Sequence, residues 1–170
     1  MSYFIIIRGP LGIGKSTIAK RLAKILKAEY VPVDLVLEKH GLDEVDENAG
    51  CIPASNFIRA DDFILPSLEK KLKDGKKIIF DACFYHKGHI EHIVQHLPYP
   101  HYVFSLKAPL EVCIERDHNR KKTHGKDAAA VVYQLVSRFD YGIVIDVSGK
   151  NIDQSVKEIL SHLPERSDPL

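Results

Sequence analysis

Apolar and polar positions follow two rhythms along this chain, and the switching between them predicts its architecture. Short unbroken apolar runs, of which Tyr3-Phe4-Ile5-Ile6-Ile7 is the first, predict buried strands over 3–8, 29–33, 77–81, 101–106 and 142–147. Between them apolar residues recur at helical spacing, as at Ile18, Ala19, Leu22, Ala23, Ile25 and Leu26. That spacing predicts helices over 15–27, within 34–40 and 54–74, then over 89–97, 109 to about 120, 127–139 and 152–163. Short apolar strands separated by helices imply an α/β fold with a five-stranded parallel sheet covered on both faces. Right-handed crossovers in such a sheet leave a ligand site at the carboxyl ends of the strands.

Two segments lack either rhythm. Residues 41–53 carry Asp43, Glu44, Asp46 and Glu47, and residues 119–126 are polar with a glycine at 125. Both are expected to be loops at the mouth of the site, the first as a solvated connection and the second as part of a lid over about 117–127. With no repeat or linker in between, one domain over 1–170 is expected.

The first strand runs straight into Gly9-Pro10-Leu11-Gly12-Ile13-Gly14-Lys15-Ser16, with Thr17 following. This fits the phosphate-binding loop pattern in the strand, loop and helix order that its chemistry requires. Backbone N–H groups and the positive end of the next helix can wrap a β-phosphate. Lys15 can then reach the β- and γ-phosphates, and the Ser16 hydroxyl can bind Mg²⁺. ATP and Mg²⁺ are the ligands expected. Asp34 follows the second strand, where a carboxylate could orient an acceptor hydroxyl and take its proton, or cap the next helix. Asp81 ends the third strand as a candidate for the metal shell or for an acceptor contact. Cys83, Tyr85, His86 and Lys87 follow it into the same mouth, where loop packing is expected of them. Arg116 and Arg120, four residues apart near a helix end, suit charge on a transferring phosphoryl group. Arg59 is a further candidate on the acceptor side. His89, His92 and His96 share a helix, and an exposed polar face is expected there rather than a metal site.

Composition narrows the partners. Net charge is +1, with 45% hydrophobic and 28% charged residues, which gives no field-scale argument for nucleic acid or an anionic membrane. The three cysteines, Cys51, Cys83 and Cys113, show no metal or disulfide spacing, and a cytoplasmic protein, monomeric or homodimeric, is expected.

Taken together, Gly9 to Thr17, Val33-Asp34-Leu35, Ile78-Ile79-Phe80-Asp81, the segment Leu106 to Arg116 and the segment Tyr141 to Ser148 resemble the small P-loop phosphotransferases. The nearest resemblance is to the chloramphenicol phosphotransferase-like family, with shikimate kinases, zeta-toxin-like kinases and polynucleotide kinases as relatives. It implies a three-layer P-loop NTPase fold with sheet order 2-3-1-4-5, Asp34 as the acceptor's base, Arg116 and Arg120 as lid arginines, and Ser148 and Gly149 beside the adenine. The expected reaction moves the γ-phosphoryl of ATP·Mg²⁺ to a hydroxyl of a small molecule. A 5′-hydroxyl polynucleotide kinase, a nucleoside or nucleotide kinase and a non-catalytic ATP-binding module are the competing readings. The lid departs from the family pattern, with Lys121 and Lys122 where relatives often carry a further arginine.

Overall fold

Every residue of β1 (Phe4–Arg8) is buried, and this decides the shape of the molecule. A strand without an exposed face needs a paired strand on each edge and a helix on each side. β1 has β3 (Ile78–Asp81) on one edge and β4 (His101–Lys107) on the other, while β2 (Glu29–Pro32) and β5 (Ile143–Asp146) close the sheet. All four pairings are parallel and the order is β2-β3-β1-β4-β5, as the family resemblance implies. The computed structural model describes residues 1–119 and 127–164.

Successive side chains of β1 feed opposite cores, as the pleat dictates. Phe4 and Ile6 pack with Phe80 beneath α2 (Val33–Lys39), α3 (Ala54–Lys73) and α4 (Lys87–His96). Ile5 and Ile7 pack with Phe104 beneath α1 (Lys15–Leu26), α5 (Leu110–His118) and α7 (Ile152–Ser161), and α6 (Ala128–Val136) lies across the mouth. These are the three layers of a P-loop fold. Among the described residues no helix is long and apolar enough to cross a membrane.

Three sequence expectations change in detail. The second strand stops at Pro32 rather than Val33, because proline has no N–H to give the ladder and its fixed φ of −77° starts α2 instead. Asp34 therefore sits in the first turn of a helix and not at its N-cap, which is Pro32. His89 is buried, not on an exposed face. Its Nε2 lies 3.2–3.3 Å from the Asp61 carboxylate of α3, and its ring stacks between Phe57 and Phe84 at 4.7 and 4.6 Å. Helical spacing on α4 alone could not reveal a carboxylate waiting on α3. Within the proposed lid, residues 120–126, Arg120 included, lie outside the described residues.

Arg8, the last residue of β1, is the largest fully buried side chain among the described residues, only 1% exposed. Its guanidinium donates to Ser105 Oγ of β4 at 2.9 Å, to the carbonyls of Val136 at the end of α6 and of Phe139 just beyond it at 3.0 and 3.1 Å, and to the Phe84 carbonyl at 3.4 Å. It also stands 4.4 Å from the Phe139 ring centre. Burial pulls its pKa down to about 10, with nearby Asp140 acting in the opposite sense, so it remains charged at neutral pH. Arg8→Met would strand several buried carbonyls. Urea denaturation should show a loss of about 3 kcal/mol or more, whereas a change below about 1 kcal/mol would mean that water replaces the guanidinium without difficulty.

Candidate active site

The loop from Gly9 to Gly14 leaves β1 and turns into α1, with Gly14 as the helix N-cap and Lys15 as its first, buried residue. The first N–H groups of α1 have no partner within the helix and point where an anion would sit. Gly12 is fixed by two demands at once. Its φ is +78°, and a Cβ there would lie 2.1 Å from the Cys113 carbonyl and 2.9 Å from the Asp117 nitrogen of α5. Helix α5 therefore rests on the loop backbone, and Arg116 Nη1 reaches the Ile13 carbonyl at 3.5 Å. Ile152, at the start of α7, is 3.4 Å from where a Gly14 Cβ would stand, so the turn holding Ser148 and Gly149 flanks the loop. The Asp146 carboxylate accepts from the Ser148 backbone at 2.9 Å and from its hydroxyl, bonds that hold the Asp146 pKa low. Pro10, Leu11 and Ile13 are buried in the loop and Thr17 is exposed on α1.

Sheet register brings the acidic candidates to the same end. Asp81 pairs with Ile7 on one side and with Pro32 on the other, so it stands between the phosphate loop and the start of α2. One of its carboxylate oxygens accepts from the Tyr30 hydroxyl at 2.6 Å, and the other, Oδ1, is buried with no hydrogen-bond partner. Burial, and then the Asp81 bond, push the Tyr30 pKa up, while a contact with the Ser16 side chain works against them. Tyr30 thus stays a donor to Asp81. A hydroxyl and a carboxylate with a spare oxygen suit Mg²⁺, which takes few protein ligands and completes its shell with phosphate and water. Among the described residues no three His, Cys, Asp or Glu side chains cluster as a dedicated metal cage. Tyr30 was not legible as a site residue, because in the sequence it is one more aromatic in a strand.

Beyond Asp81 opens a cavity of about 430 Å³, lined in part by Leu11 of the phosphate loop and by Asp34. Asp34 is exposed on α2, close enough to bear on the hydroxyls of both Tyr30 and Tyr85, whose pKa values rise chiefly through burial. Cys83 and Tyr85 line the cavity, as do Asp43, Val45, Cys51 and Ile52 of the 41–53 segment. That segment is therefore more than a solvated connection. It is pinned at Ile52, whose N–H donates to the Tyr85 hydroxyl at 3.1 Å and whose carbonyl meets His86 Nε2 at 2.7 Å. Arg59 is not brought to the site. It stands exposed on α3, outside the cavity lining.

Fold and loop together define a small P-loop α/β protein. The chain belongs to the AAA domain family, whose pattern matches residues 4–140. Among solved structures it is similar to a sugar kinase from Janibacter sp. HTCC2649, with a TM-score of 0.73 and 17% identity over 95% of this chain and 94% of that one. It is also similar to the Deinococcus radiodurans tunicamycin resistance protein, with a TM-score of 0.68 and 18% identity over 95% of both chains. The shikimate kinase from Acinetobacter baumannii in complex with shikimate gives a TM-score of 0.62 at 17% identity, over 94% of this chain and 90% of that one. At these identities the likeness is one of fold. No curated protein matches the chain.

Packing at Gly12 yields a paired test. Gly12→Ala must push α5 away from the loop, so it should lower thermal stability and abolish ATP binding measured by calorimetry. Gly41→Ala also meets a positive φ, +63°, but nothing lies within 4 Å. It should lose only about 1–2 kcal/mol and bind ATP normally. Equal ATP affinity in both variants would show that α5 does not constrain the loop.

Proposed function

We propose that the protein is an ATP-dependent kinase that moves the γ-phosphoryl group of ATP·Mg²⁺ to a hydroxyl of a small molecule held in the cavity beside Asp34. The carrying observation is the continuity of the site. Leu11 belongs both to the phosphate loop and to the cavity wall, Asp34 lines the same cavity, and Asp81, which accepts from Tyr30, stands between the phosphate loop and the start of α2. A γ-phosphate on the loop and an alcohol in the cavity would then face each other across Asp34.

In this reading the loop backbone from Gly9 to Thr17 and Lys15 hold the phosphates, Ser16 and Asp81 hold the Mg²⁺ shell, and Ser148 and Gly149 border the adenine. Asp34 orients the hydroxyl and takes its proton. Arg116, which already touches the loop at Ile13, meets charge on the transferring group together with Arg120. Such transfer needs positioning and charge more than covalent chemistry, which matches a site made of backbone amides, one lysine and carboxylates. The neighbouring folds described as a sugar kinase and a shikimate kinase support the reaction class. A non-catalytic ATP-binding module would have no use for a carboxylate at the acceptor position.

Lys15→Ala should remove nearly all ATP turnover with the melting temperature retained. Normal turnover in that variant would end the P-loop reading. Asp34→Asn keeps the size of the side chain and its place in the first turn of α2. With Asp34 as base, transfer should fall by about 10²- to 10⁴-fold while ATP affinity stays near wild type, as read by ADP release against pooled alcohols. Transfer within about tenfold of wild type would reduce Asp34 to an orienting group, and a parallel fall in melting temperature would make its role structural.

A further inference from the structure

The chemistry of the cavity lining says more than that an alcohol binds. Resting on the kinase reading, we infer that the acceptor is an amino alcohol: a protonated amine on an apolar body, with the reacting hydroxyl directed to Asp34.

Charge is divided unevenly in this molecule. The whole chain carries 24 Lys and Arg against 23 Asp and Glu, so a lining drawn at random would hold both signs. Among the described residues the cavity instead presents four carboxylates and no lysine, arginine or histidine. The acids come from three separate stretches of chain. Asp34 and Glu38 are one helical turn apart on α2, Asp43 lies in the 41–53 segment, and Asp127 precedes α6. Three stretches converging with one sign around one space make a field that attracts a cation and repels an anion.

The rest of the wall is apolar. Leu11, Leu37, Phe57, Val131 and Val132 face the same space, and Phe57 is held from behind by the His89 ring. A cavity of about 430 Å³ with such walls takes the body of a drug-sized molecule. An acidic acceptor, whether a hydroxy acid, a sugar phosphate or a nucleic-acid end, would have to bring its anion among four carboxylates with no described cation to meet it. A neutral polyol would leave the apolar walls unused. An amine can lie toward Glu38, Asp43 and Asp127 while its hydroxyl meets Asp34 at the loop side. In the transfer the acceptor oxygen bonds to the γ-phosphorus and the bond from that phosphorus to the β,γ-bridging oxygen breaks. ADP leaves, and the hydroxyl proton passes to Asp34.

The test uses matched sets of aromatic and alicyclic alcohols that differ in one group: a primary amine, its N-acetyl derivative, and a carboxylate in its place. Affinity is measured by calorimetry on the full-length protein with a non-hydrolysable ATP analogue and Mg²⁺, and kcat/KM by ADP release with ATP. The amines should exceed both counterparts by at least about tenfold in affinity, an advantage that shrinks with added salt. Glu38→Gln combined with Asp43→Asn should cut amine affinity by about tenfold while leaving the N-acetyl compounds within about twofold and the melting temperature unchanged. Carboxylates or neutral alcohols binding as well as amines, or no set showing an amine preference, overturns the inference. The kinase reading stands or falls separately, on whether any alcohol, of whatever charge, draws Lys15-dependent ADP release.

Discussion

A buried guanidinium at the end of the central strand holds the working parts of this molecule together. Arg8 immediately precedes the phosphate loop, and its bonds run to β4, to the turn after β3 and to the end of α6. Those partners carry or adjoin separate pieces of the site. The turn after β3 leads to Tyr85 and His86, which pin Ile52, and α6 supplies Val131 and Val132 to the cavity wall. Burying a charge is unfavourable unless every donor is used, and here the acceptors are mostly backbone carbonyls that no smaller side chain could reach at once. The arrangement fixes where the mouth of the sheet stands relative to the loop.

From that fixed mouth the site divides into two ends of different character. Toward α1 lie amide donors, the buried Lys15, Ser16 and the Tyr30–Asp81 pair, an environment built for phosphate and a hard cation. Toward α2 and α6 the walls become apolar with an acidic edge. Asp34 is shared by both ends. Its place in the first turn of α2 follows from Pro32, which ends an edge strand opposite Asp81 and begins the helix in one step.

Much of this was legible in the sequence, for physical reasons that differ by element. Fully buried parallel strands must read as unbroken apolar runs, so the segments around Ile5, Ile79 and Phe104 declared themselves, and so did the helices between them. The phosphate loop is a local motif and needs no tertiary information. Tyr30, Tyr85 and Arg8 were not legible, because each acts through a partner far away in sequence, and a tyrosine in a strand or an arginine at its end has no periodic signature. The 41–53 segment misled in the same way. Its polarity suggested water on all sides, whereas Asp43 and Val45 turn toward the cavity because Ile52 is tied down by Tyr85 and His86. His89 was misjudged because the carboxylate that accompanies it into the core sits on another helix.

The central claim is that the two ends of the site exchange a phosphoryl group. It is tested most directly by following that group: the protein is incubated with Mg²⁺ and ATP carrying ¹⁸O on the non-bridging γ-oxygens, together with a mixed pool of alcohols, and the products are read by mass spectrometry. The account predicts an alcohol bearing the intact labelled phosphoryl group, its remaining oxygen being the alcohol's own. Label recovered only in inorganic phosphate, or retained wholly in ATP, would contradict it.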